Sequence, residues 1–155
     1  NGEAPPAPVD DGVKIEALVA GNRNNPAYFI NMPVQSQWPF YYAFDRTADN
    51  TFGEIPAELA GAGWISTKRL SLEENKTKLS FRVKKGMTAT VYIMVTGKEM
   101  PGFVKKAGFK PTGITGKWRD HDLKLMDFTV YKKECKGGEK VSLGSAVWDY
   151  VVLVK

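Results

Sequence analysis

The chain has one cysteine, Cys135, and one histidine, His121, in 155 residues. A single thiol excludes an internal disulfide and any cysteine-rich metal site. A single imidazole removes the metal and nucleophile–base arrangements that need two. No apolar run approaches the roughly 18 to 20 residues that a membrane-spanning helix requires, so no transmembrane segment is expected. G-x-S-x-G, G-x-G-x-x-G, a phosphate-binding loop and H-E-x-x-H are all missing, which leaves hydrolase, dinucleotide and nucleotide chemistry without a motif. A carboxylate pair brought together by folding is the one route to catalysis that this survey leaves open.

What is present is hydrophobic and aromatic enough, at 43% and 12% of residues, to build a core without disulfides or metals. One domain of 13–155 is expected, behind a Pro-rich linker over 1–12 whose three prolines disfavour helix. The net charge is +5, with the lysines in separate pairs at Lys84-Lys85, Lys105-Lys106 and Lys132-Lys133. Such pairs read as solvated strand edges that oppose aggregation, and nucleic acid is not the expected partner. Asn1 stands where an initiating Met is not, so any leader or lipid-attachment segment ahead of it is out of view.

Period-two alternation supplies the secondary structure. Val13, Ile15, Ala17 and Val19 predict a strand with one buried face, and Gly21 to Pro26 a turn. Ala27 to Asn31, the aromatic Phe40 to Asp45 and Trp64 to Thr67 follow as strands. Lys78 to Val83 and Thr88 to Val95, joined by Lys84-Lys85-Gly86, read as a hairpin. Pro56 to Ala60, closed by Gly61, and Pro101 to Gly108 each suggest one helical turn. Leu123 and Leu125 share one parity while Met126, Phe128 and Val130 share the other, which predicts a β-bulge near Leu125. Val141 to Leu143, behind the Lys136-Gly137-Gly138 turn, and Trp148 to Val154 complete the set. Eight or nine short strands without a long amphipathic helix point to an all-β fold, an antiparallel β-sandwich of jelly-roll type, with a closed barrel as the alternative.

The stretch from Phe109 to Tyr131 concentrates the candidate chemistry, as a Gly-punctuated loop running into a strand. Trp118, Arg119, Asp120, His121 and Asp122 set a flat aromatic surface beside charges. An indole outside the core can stack on the C–H face of a sugar while Arg and Asp meet its hydroxyls. Trp118, and Trp38 beside Pro39, are the candidates for that platform, whereas Trp64, Trp148, Phe81 and Phe128 read as core. Asp120 and Asp122 offer calcium two of the six to eight oxygens it takes, so turn-stabilising caps are the plainer reading and no cofactor is assigned. Asn75-Lys76-Thr77 is a glycan acceptor only in a eukaryotic secretory setting.

Six segments in order, Y-Y-A-F-D-R (41–46), I-P-A-E-L-A-G-A-G-W-I-S-T (55–67), T-V-Y-I (90–93), F-K-P-T-G (109–113), V-Y-K-K (130–133) and V-S-L-G (141–144), carry a resemblance. Together they resemble accessory, carbohydrate-binding-like β-sandwich domains appended to secreted bacterial polysaccharide lyases and glycoside hydrolases. The resemblance implies an extracellular, periplasmic or cell-surface module, non-catalytic, whose partner is a polysaccharide or oligosaccharide, acidic ones included; a monomer is expected. The expected ligand-binding residues are Trp118, Arg119, Asp120, His121, Asp122 and Trp38. Two other readings stand beside it: a structural or protein-interaction sandwich without sugar affinity, and a lyase or hydrolase with a fold-assembled site.

Overall fold

The computed structural model describes residues 13–20, 27–39, 41–43, 51–68, 79–120, 124–144 and 150–155. The segment 1–12 expected as a linker, the acceptor triplet at Asn75, Trp148 and residues 121–123 lie outside them. Among the described residues ten strands follow one another: β1 (Ile15–Ala20), β2 (Tyr28–Ile30), β3 (Tyr41–Ala43), β4 (Gly63–Lys68), β5 (Leu79–Val83), β6 (Thr88–Thr96), β7 (Lys110–Arg119), β8 (Leu125–Lys136), β9 (Lys140–Leu143) and β10 (Tyr150–Val154). The two expected helical turns are present, a 3-10 turn at Ala57–Leu59 and α1 at Gly102–Lys106. Gly61 and Gly108 follow them at φ +88° and +92°, the left-handed geometry that ends a helix cheaply only at glycine.

The strands form a three-stranded sheet, β1-β5-β9, and a larger one ordered β2-β4-β10-β6-β8-β7, with β3 added beside β4. Pairing is antiparallel throughout except between β3 and β4. The fold is therefore an all-β sandwich. Its central strands are buried on both faces, which is why β10 reads as the unbroken apolar run Tyr-Val-Val-Leu-Val. Val91, Ile93, Val95, Val152 and Val154 pack with Phe81, Val83, Val141 and Leu143 of the small sheet. The opposite parity, Tyr92, Met94, Val151 and Leu153, packs beneath Val34, Phe52, Leu59 and Ala62 of the segment preceding β4.

Three expectations are corrected. β5 and β6 are not a hairpin: β5 pairs with β1 and β9, β6 with β8 and β10, and Lys84-Lys85-Gly86 carries the chain from one sheet to the other. Alternation reports that a strand has a buried face; it carries no information on which strand lies beside it. The Lys136-Gly138 turn crosses in the same way, and the two crossovers meet, with Gly138 N–H donating to Val83 O at 2.7 Å.

The bulge is also displaced. Pairing of β8 with β6 runs unbroken from Thr88↔Lys136 to Thr96↔Phe128, and Leu125 pairs in register with Arg119. The irregularity lies instead in β7, between Pro111 and Thr115, where Gly113 takes φ +77°. Thr112 Oγ stabilises it by accepting from Ile114 N–H (3.0 Å) and donating to Val130 O (2.7 Å). Leu125 is accordingly left 55% exposed rather than turned inward.

A further bulge sits in β1. Ala17 has φ +54° and the register slips by one residue between Glu16 and Val19. A one-residue slip exchanges the faces of everything beyond it. Ile15 is buried as expected, but Leu18 packs against the core and Val19 is 54% exposed.

Candidate functional site

The stretch read as a loop is mostly strand. Lys110 to Arg119 forms β7, paired along β8. Its glycines have positional reasons: Gly113 makes the bulge, and Gly116 is bare because a β-carbon there would stand 2.4 Å from the Phe128 ring. Strand geometry then sorts the side chains by parity. Ile114 and Trp118 face the core with Phe128, while Thr115, Lys117 and Arg119 are exposed.

Trp118 is thus a core residue, 1% exposed, with its ring 5.5 Å from that of Phe128. The stacking platform expected of it is corrected: a ring face covered on this scale offers a sugar no area. Trp38 lies outside the strands, 37% exposed, with its ring tilted against Trp64 at 6.0 Å. Trp64, Phe81 and Phe128 are core as expected.

Asp120 closes the β7–β8 connection. Its N–H donates to Lys124 O and its Oδ1 accepts from Lys124 N–H, both at 2.9 Å. That is the turn-stabilising role expected in place of a metal ligand. His121 and Asp122 lie outside the described residues. Among the described residues no three His, Cys, Asp or Glu side chains converge.

β7 is an edge strand of the large sheet, and part of its edge is occupied. Thr51 and Arg119 exchange backbone hydrogen bonds, N–H to O, at 3.0 Å each way. Gln37 N–H donates to Phe52 O (2.8 Å) and Phe52 N–H to Trp38 O (2.9 Å), so residues 37 to 39 and 51 to 52 form a small clamp on the end of β7. Gly53 lies directly on the Lys117 carbonyl. Gln37 holds φ +70°, a conformation that costs a non-glycine residue roughly 1 kcal/mol or more and that tends to gather at binding sites.

Between clamp and strand runs an open groove of about 670 Å³. Ser36, Gln37 and Glu54 stand along the clamp, with Thr115, Lys117, Arg119 and the exposed Leu125 along the sheet. Among the described residues, Arg119 is the one expected site residue that lines this groove. A second hollow of about 260 Å³ shares Thr115, Gly116 and Lys117 and continues over the sheet face to Asp127, Thr129 and Lys98. Lys117 Nζ donates to Asp127 Oδ1 at 2.7 Å. That hydrogen bond, the Lys117 charge and the more distant Lys98 hold the Asp127 carboxyl below the usual range. The groove can offer hydroxyls, an amide, a carboxylate and guanidinium or ammonium donors to a polar ligand.

Sequence reading missed Ser36, Gln37, Glu54, Lys98 and Lys117. The polar alternation Thr115, Lys117, Arg119 was the available signal, obscured by Gly116 within it.

No family model and no curated protein sequence matches this chain. In fold it is similar to a β-glucuronidase from glycoside hydrolase family 2, with a TM-score of 0.61 over 83% of this chain and 15% sequence identity. The chain covers 13% of that protein's length. Among the described residues no helix is long and apolar enough to cross a membrane.

Proposed function

We propose that this chain is a non-catalytic accessory module of a secreted bacterial polysaccharide-degrading system, and that the groove beside β7 is where it holds saccharide. The observation that carries the reading is the groove itself, open, with Ser36, Gln37, Glu54, Thr115 and Arg119 set beside the apolar Ile55, Pro56, Ala57 and Leu125. Saccharides present hydroxyl donors and acceptors and apolar C–H faces, which such a mixed lining can match. A fold likeness to about one-eighth of a glycoside hydrolase suits a small module within a larger carbohydrate-active protein. An extracellular, periplasmic or cell-surface location goes with that setting. Calorimetry and glycan arrays with pectic, algal and hemicellulosic oligosaccharides test it: retention lost in Arg119→Ala supports the groove, and no retention of any saccharide sinks the proposal.

The burial of Trp118 favours a second reading, a sandwich that spaces or docks neighbouring domains without sugar affinity. That reading expects silence on every array and a gain in thermal stability when the chain is joined to its neighbouring domain.

A further inference from the structure

We infer that the groove and the hollow across β7 are a single track for an extended acidic oligosaccharide, its carboxylates meeting Arg119 in the larger hollow, Lys98 in the smaller and Lys117 where the two join. The inference rests on the saccharide-binding reading above and names the class of ligand.

Continuity is the first observation. Thr115, Gly116 and Lys117 line both hollows, so the two meet along this stretch of β7. The spacing of the cations is the second. Residues two apart on one strand face stand about 6.8 Å apart, so Lys117 and Arg119 repeat at a distance comparable with one sugar ring and its linkage. A flexible chain meeting two such cations at once gains through effective concentration, so affinity should climb with length until the track is filled.

Charge balance is the third. Lys98, Lys117 and Arg119 share the track with Glu54 and Asp127, the latter already bonded to Lys117. A dense polyanion would be repelled by those carboxylates. A chain whose single carboxylates are separated by hydroxyls would place each charge at a cation and its hydroxyls against Glu54, Gln37 and Thr115. Arg119 suits the carboxylate best, since its planar fork can bond both oxygens at once.

The test is calorimetry of the intact chain with mono-, tri- and hexagalacturonate and with the same oligosaccharides after carboxyl reduction. Affinity is expected to rise from the monomer to the trimer and to fall about tenfold on carboxyl reduction. Arg119→Ala and Lys98→Ala should each weaken hexagalacturonate about five- to tenfold while melting with the native chain, and Arg119→Lys should recover only part of the loss. Equal affinity for acidic and reduced chains would overturn the acidic track while leaving saccharide binding in place. A loss in Arg119→Ala with none in Lys98→Ala would overturn the continuity of the two hollows. Retention of no saccharide of either kind would remove the underlying reading as well.

Discussion

Gly53 rests on the backbone of Lys117 so closely that a β-carbon would stand 1.7 Å from the Lys117 carbonyl oxygen. The obstacle is main chain in a paired strand, which cannot swing aside as a side chain would. Gly53→Ala should therefore lift the clamp from β7 and cost about 1 to 3 kcal/mol by overpacking. Denaturant unfolding measures the cost, and saccharide affinity should fall with it, since one wall of the groove has moved.

Trp118 and Phe128 meet within the layer beneath the clamp. Trp118→Ala should cost about 3 to 5 kcal/mol, the range for removing a large buried aromatic, and Trp118→Phe distinctly less. If Trp118→Phe keeps its fold and its saccharide affinity, the ring acts as core. Loss of affinity in that folded variant would return it to the binding surface.

Burial pushes the Cys135 thiol up to about 11, with nearby Glu139 adding to the effect. Thiolate is the reactive form, so the native protein should resist disulfide-exchange reagents near pH 8 and react promptly once unfolded. Labelling of the folded chain at the rate of a free thiol would contradict the buried position.

Lys133 Nζ lies 2.9 Å from Glu139, and that hydrogen bond holds the Glu139 carboxyl below its usual range, as Lys117 does for Asp127. A carboxyl whose pKa is lowered by folding stabilises the native state fully above its unfolded value. The contribution disappears as pH falls through the folded value. Melting temperature should hold from neutrality to about pH 5 and decline below it, with a shallower decline in the double variant Glu139→Gln, Asp127→Asn. An identical acid limb in the variant would show that other carboxyls govern the loss.

In β5, where one face is buried and the other wet, the sequence alone was enough. β5, with Leu79, Phe81 and Val83 inward, and the two helical turns ending at Gly61 and Gly108 stand where local pattern put them. Those features depend on neighbours a few residues away, and alternation and glycine record them directly. Pairing was decided only in three dimensions. β5 and β6 are adjacent in sequence yet lie in different sheets, facing one another across the core while each takes its hydrogen-bond partners from strands distant in the chain.

The candidate site shows the same division. Arg119 was legible as a charge beside an aromatic, but the fold alone put Trp118 in the core and Arg119 in a groove. Period two sends adjacent residues to opposite faces, and it took the pairing with β8 to show that this glycine-bearing stretch is a strand at all. Gln37, Glu54 and Lys98 come from segments far apart in the chain. Nothing in their local sequence marks them, and only the clamp on β7 and the turn after β6 bring them to Lys117.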